Sequence, residues 1–416
     1  MNPIAHSGHS SSRLPLAAAA AAVLLACSGA RAGPPRPLVL DTHVDIPFAY
    51  MREPRFDVGG DSVLQVDLGK MARGGLDAAF FIVYVEQGPL TPEGYAHAVA
   101  QAERKYSGIE RMLQRYPQRI RLATSPQQVR ANHAAGLLSA MIGIENAYSL
   151  GHDLARIDAA YARGARYLGL VHVGNNDLCT SSLPDAELHE PAVSAAGISA
   201  FGRAAVRRAN RLGLMVDVSH ASDACVRDAL QVSGAPLIAS HSSARALVDH
   251  PRNLPDDLLR AIAAKGGVIQ AVAYKEFVRK DAGREAAEKA LQAAVAKQSG
   301  DAHYDSEKHD YLPAYKAGMR RIDAQFPLAT LEQYLDHVQH IANVAGIDHV
   351  GIASDFDGGG GVTGWMDASE TRNVVAGLRR RGFSEADIAG ICSGNLLRVW
   401  RAVETAAAHH RADAAK

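Results

Sequence analysis

The 416-residue chain is poor in cysteine, has no excess of either charge, and lacks a basic run. Its 44 basic and 44 acidic residues cancel, so nucleic acid and anionic membrane surfaces make poor partners, and a small molecule is the better expectation. No internal repeat of the solenoid kind is present. Of the four cysteines, Cys27 lies in an N-terminal apolar segment, which leaves Cys179, Cys225 and Cys392. That odd number, at those spacings, fits neither a zinc knuckle nor a disulfide framework, and at most one bridge can form. A core of this length needs no covalent staples.

What the chain does have begins at its N-terminus. After Arg13 comes LPLAAAAAAVLLACSGARAG, a stretch too short and too early for a spanning helix and expected to be an export signal over residues 1–32. Two processing sites compete: Ala30-Arg31-Ala32 fits the small-x-small rule, and Leu24-Leu25-Ala26-Cys27 has the form of a lipobox whose cysteine would carry a lipid anchor. The expected location is the periplasm or envelope.

From Leu38 onward, eight short apolar runs alternate with amphipathic stretches that end at glycine. The runs start at Leu38, Leu76, Leu138, Ala165, Leu214, Pro236, Gly266 and His349. Continuous apolar strands alternating with helices give a parallel sheet covered by helices. An open doubly wound sheet has the same local pattern. A (β/α)8 TIM barrel is favoured because His43 and Asp45, Glu145, His172, His220, His241 and Asp355 all fall at carboxyl ends of runs, where barrel enzymes keep their catalytic groups. One domain is expected over residues 38–403, with a flexible tail over 404–416. The rhythm breaks once, between Tyr274 and Leu331, where an alanine-rich, charged stretch predicts a helical insertion between barrel strands 7 and 8.

His43 and Asp45 sit two apart, so an extended chain points them to one side. Imidazole and carboxylate are the ligands of a hydrolytic zinc site. With Glu145, His220 and His241 they are more than one ion needs, and two ions sharing one carboxylate would use them all; Glu145, ending an apolar strand, is the natural bridge.

The ordered segments DTHVDIPF, GIENAYSL, LVHVGNND, DVSHAS, SHSSARALVDHPRNLPDDLL and GIASDFDGGG resemble the membrane dipeptidase family, within the amidohydrolase-like barrels. The resemblance runs from Leu38 to SGNLLRVW. It implies a (β/α)8 barrel holding two zinc ions (Zn2+) that hydrolyses dipeptides through a metal-bridging hydroxide, D-residues at the C-terminal position being among the candidate substrates. It assigns His43 and Asp45 to one zinc, Glu145 to the bridge, and His220 and His241 to the other. His172 then contacts the scissile carbonyl oxygen, Arg252 holds the free carboxylate, Tyr274 lines the pocket, and Asp355 handles protons. Two alternatives stay open on residues alone: Arg252 as a cap for the following helix, and Asp357 in place of Asp355. The disulfides and the C-terminal anchor of mammalian members find no counterpart, which leaves a homodimer open. Rival readings are a related barrel hydrolase acting on a lactone, cyclic amide or phosphotriester, and a non-catalytic metal-binding envelope protein. The first often has a carboxylated lysine where this chain offers Glu145.

Overall fold

The computed structural model describes residues 8, 36–191 and 196–414. The expected export signal over residues 1–32, with Arg13 and Cys27, lies outside them except for Gly8. No helix among the described residues is long and apolar enough to cross a membrane.

All eight expected runs form strands: β1 (Leu40–Val44), β2 (Ala78–Tyr84), β4 (Leu138–Glu145), β5 (Ala165–Gly169), β6 (Met215–Asp217), β7 (Leu237–Ala239), β8 (Val268–Val272) and β9 (Val350–Ala353). The ninth, β3 (Ile120–Leu122), pairs with β4 outside the main path. Every ladder is parallel, in the order β1-β2-β4-β5-β6-β7-β8-β9. The ends meet where the Asp45 amide donates to the Phe356 carbonyl at 2.9 Å and the Asp355 amide to the His43 carbonyl at 3.1 Å. The result is the nearly closed eight-stranded α/β barrel expected of a TIM fold.

Alternation inside an apolar strand explains how both faces are buried. Along β2, Ala78, Phe80 and Ile82 pack with Tyr167, Met141 and Trp400, while Ala79, Phe81 and Val83 pack with the surrounding helical layer. Helix ends follow local chemistry. Ser199 accepts the Gly202 amide at the start of Ala200–Leu212, and Gly213 ends that helix at φ 91°, a conformation glycine adopts without strain.

The insertion is helical, as expected, with helices Lys275–Val278, Ala282–Ser299, Ser306–His309 and Pro313–Gln325 between β8 and β9, the seventh and eighth barrel strands. Buried Arg284 is its hub, meeting Glu288 at 2.6 Å, Asp323 at 2.7 Å and the Phe326 carbonyl at 2.6 Å. Past Val403 the described chain continues as helix Asn395–Ala414, with Val403 and Ala407 buried. One disulfide joins Cys179 to Cys225, with Cα atoms 6.0 Å apart, the single bridge the cysteine count allows; Cys392 stays free and buried.

Candidate active site

The seven rim residues converge. His43 Nε2 lies 3.5 Å from Asp45, 3.4 Å from Glu145 Oε2 and 3.9 Å from Asp355. Glu145 Oε1 lies 3.0 Å from His220 Nε2, 3.3 Å from His241 Nε2 and 4.0 Å from His172 Nε2. The two oxygens of one carboxylate thus face different donor groups. Three overlapping sets of potential ligands result: His43, Glu145 and His241; Glu145, His172 and His220; His43, Asp45 and Asp355.

Buried groups behind the imidazoles fix which nitrogen faces inward. The Tyr167 hydroxyl donates to the Thr42 carbonyl at 3.2 Å, so His43 Nδ1–H donates to Tyr167, 3.1 Å away, and Nε2 is the nitrogen that faces the site. Gly143 makes room for that tyrosine, since a Cβ there would stand 2.2 Å from its ring. At His241 the Ser240 hydroxyl donates to Asp217 at 2.6 Å, so His241 Nδ1–H donates to Ser240 at 2.8 Å. His220 and His241 then place their Nε2 atoms 2.8 Å apart.

This donor set fits metal ions. Imidazole nitrogens and carboxylate oxygens crowd one buried point, and a cation there would balance the carboxylates. The electrostatics show the same demand for positive charge. Burial opposes charge on His43, but Glu145 and Asp45 outweigh it and raise its pKa well above the usual range. Burial works against the Glu145 carboxylate too, yet His43 first, then His172, His220 and His241 beside it, hold it well below its ordinary value. Burial lowers His220, His241 and His172, keeping them neutral. Asp355 is pushed up to about 7, chiefly by burial, with Asp45 and Glu145 adding to the effect.

The backbone is specialised here. His220 and Asp355 adopt φ of 67° and 60°, left-handed values uncommon outside glycine and characteristic of functional sites. Gly358 fills a gap where a Cβ would come within 2.2 Å of Asp45 and 2.7 Å of Asp355.

A cavity of about 300 Å³ opens over these groups, lined by Asp45, Glu145, His172, His220, His241 and Asp355 together with Arg252 and Tyr274. Arg252 is buried; it donates to the His241 carbonyl at 3.1 Å and lies 5.2 Å over the Phe277 ring. It caps no helix, since Asp256–Ala264 begins at Pro255 without a side-chain bond. Burial lowers its pKa to about 10, which leaves it charged at neutral pH. Tyr274 stacks on Phe277 at 4.4 Å. Asp357 is committed elsewhere: its oxygens accept the Gln65 and Val66 amides at 2.8 and 3.1 Å, which ties down the loop after β1.

Several contributors were not anticipated. Tyr167, Asp217 and Ser240 act from behind the rim, and their partners are too distant in sequence for a local motif to show them. Ser306, Asp310 and Tyr311 of the insertion line the cavity, and Tyr311 meets Phe56 edge-on at 4.7 Å. The insertion therefore reaches over the site to the loop after β1. The disulfide ties the segment following His172 to the helix following His220.

A parallel barrel with imidazoles and carboxylates gathered at its carboxyl rim defines the class of metal-dependent hydrolases. Comparison with known proteins narrows it. The family model for membrane dipeptidase (peptidase family M19) matches residues 35–414. The dipeptidase tcpJ of Claviceps purpurea is 31% identical over 370 residues, spanning 88% of this chain and 75% of that protein. The crystal structure of the probable dipeptidase PvdM from Pseudomonas aeruginosa superposes with a TM-score of 0.78 at 34% identity, covering 89% of this chain and 96% of that one. A metallo peptidase from Rhodobacter sphaeroides, liganded with a phosphinate mimic of L-Ala-D-Ala, shares the fold at 23% identity and a TM-score of 0.69, with 88% and 100% of the two chains covered. The chain belongs to the membrane dipeptidase family and is a metallodipeptidase, a hydrolase.

Proposed function

We propose that this chain hydrolyses dipeptides with two zinc ions, His43 and Asp45 holding one, His220 and His241 the other, and Glu145 shared between them. The observation that carries this reading is the division of Glu145, with Oε2 3.4 Å from His43 and Oε1 3.0 and 3.3 Å from His220 and His241. When bound, such ions supply Lewis acidity toward water and toward the peptide carbonyl.

The chain's own groups do the rest. Arg252 offers a planar guanidinium to the substrate carboxylate in a water-poor pocket, where a bidentate contact is strong. Fixing that carboxylate a set distance from the rim favours two-residue substrates. His172, neutral and half-buried beside Tyr84 at 4.5 Å, donates to the carbonyl oxygen as negative charge develops there. Asp355 takes the proton of the attacking water and returns it to the leaving amine. Tyr274 and Phe277 form an aromatic wall under the substrate.

The relative crystallised with an L-Ala-D-Ala mimic supports including D-residues at the C-terminal position. Metal analysis paired with a dipeptide panel, D-residues included, tests the reading. The expected result is close to two zinc ions per chain and hydrolysis that chelation abolishes. One ion at saturating zinc, or no turnover of any dipeptide by the loaded protein, would overturn it.

Export is part of the same proposal. The N-terminal segment supports it, and so does the Cys179–Cys225 bridge, which an oxidising compartment permits. N-terminal sequencing of envelope material should give Cys27 bearing lipid or Gly33 without it; an intact Met1 would refute both.

A further inference from the structure

The carboxylates around the cavity have occupations, with one exception. Asp45, Glu145 and Asp355 gather with the imidazoles. Asp357 accepts two backbone amides, and Asp310 accepts the Tyr304 hydroxyl. Glu276 lines the same cavity and is half-buried, but it accepts no hydrogen bond and makes no ion pair among the described residues.

Its neighbours hold it in place without neutralising it. Lys275 turns away to meet Glu288 at 2.5 Å, and Arg284 meets the same Glu288 at 2.6 Å. Phe277 is stacked on Tyr274 and lies under Arg252. Burial raises the Glu276 pKa, and Glu288 and Glu285 reinforce it against the opposing pull of Lys275 and Arg284. The cavity's cations face other groups. Arg252 donates to the His241 carbonyl, and Lys105 donates to the Ile46 carbonyl and sits 4.4 Å from the Phe48 ring. What the wall lacks is a positive charge opposite Glu276.

We infer that Glu276 is a specificity-determining residue that receives a cationic side chain of the dipeptide substrate. The inference rests on the dipeptidase reading and deepens it. A partly desolvated carboxylate fixed between two packed residues gains more from a cation than a freely solvated one does, because water competes less for it. A neutral side chain would leave the carboxylate partly dehydrated and unpaired.

The test compares kcat/KM for Lys-Ala and Ala-Lys with that for Ala-Ala, all on one preparation, so that partial unfolding cancels in the ratio. Wild type should prefer at least one lysine dipeptide, Glu276→Gln should lower that preference roughly tenfold, and Glu276→Lys should shift it toward Asp-Ala or Ala-Asp. An unchanged ratio in Glu276→Gln, or a wild type indifferent to lysine, would overturn the inference while leaving the dipeptidase reading standing. Equal loss on all three substrates would overturn it as well, by assigning Glu276 to the common α-ammonium or to the fold. A wild type inert on every dipeptide would instead fail the dipeptidase reading beneath it.

Discussion

The barrel rim and the insertion handle charge in opposite ways. At the rim, four imidazoles and three carboxylates point at one another, and each histidine whose outer nitrogen is bonded is held from behind by a buried group: Tyr167 behind His43, Ser240 and Asp217 behind His241. In the insertion, charges pair off locally. Arg284 meets Glu288 and Asp323, and Asp301 meets Lys308 and His309 at 2.5 and 2.8 Å. A closed parallel sheet is rigid enough to hold an unbalanced cluster that a cation can later balance. A helical excursion has no such frame and pairs its charges locally, with Glu276 at the cavity wall the exception. On the proposed reading the first region carries the chemistry and the second adds Glu276 to the pocket wall.

The strongest way to break this contrast is at the shared carboxylate. Glu145→Gln should abolish turnover and leave no more than one zinc per chain by elemental analysis; retention of both ions would show that the rim does not depend on the bridge. Asp355→Asn should cut kcat by roughly 10²- to 10⁴-fold with zinc content intact, and metal loss with surviving activity would make it a ligand instead. Arg252→Ala should lower kcat/KM on dipeptides by roughly ten- to a hundredfold and remove the preference for free acids over dipeptide amides. Equal losses on acids and amides would leave Arg252 a structural role only.

The smallest effect on catalysis is expected where the two regions join. His337, buried on helix Leu331–Ala345, accepts the Ala244 amide at 3.1 Å after β7 and faces the Val278 carbonyl at 3.4 Å at the root of the insertion. Burial lowers its pKa to about 4. Its folded pKa lies below the ordinary value of about 6.5, so the unfolded chain takes up the proton first as pH falls. Stability from this residue is therefore complete above pH 6.5 and is lost between about 6.5 and 4, by at most about 3 kcal/mol. Thermal midpoints measured across that window should fall more steeply in wild type than in His337→Gln. Identical slopes would remove His337 as the acid-sensitive joint.

How much could be read from the sequence follows the same division. Strands buried on both faces announce themselves as unbroken apolar runs, and a polar residue closing such a run is conspicuous, which is why His43, Asp45, Glu145, His220, His241 and Asp355 were legible. β3 was not, because only Ile120 of its three residues is buried. Tyr167 and Asp217 were hidden for the opposite reason: inside their strands they look like core residues, and only closure of the barrel brings Tyr167 to His43, 124 positions away. The helicity of the insertion was legible from its composition, but not the side chains it lends to the cavity. Which of Ser306, Asp310, Tyr311 and Glu276 turn inward depends on how the helices lie over the rim.

The seam between β1 and β9 has a consequence for biosynthesis. Asp41 accepts the amides of both His43 and Ser354, the latter 313 positions away, and His43 and Asp355 share a backbone bond across the same seam. Opposite ends of the chain thus carry halves of one centre, and contacts of such long range are slow to form. A nascent chain that has not yet released β9 holds no assembled centre, however much of its sheet has zipped together. Catalytic competence arrives with the last strand, so the polypeptide stays chemically silent until β9 is made and closes the barrel.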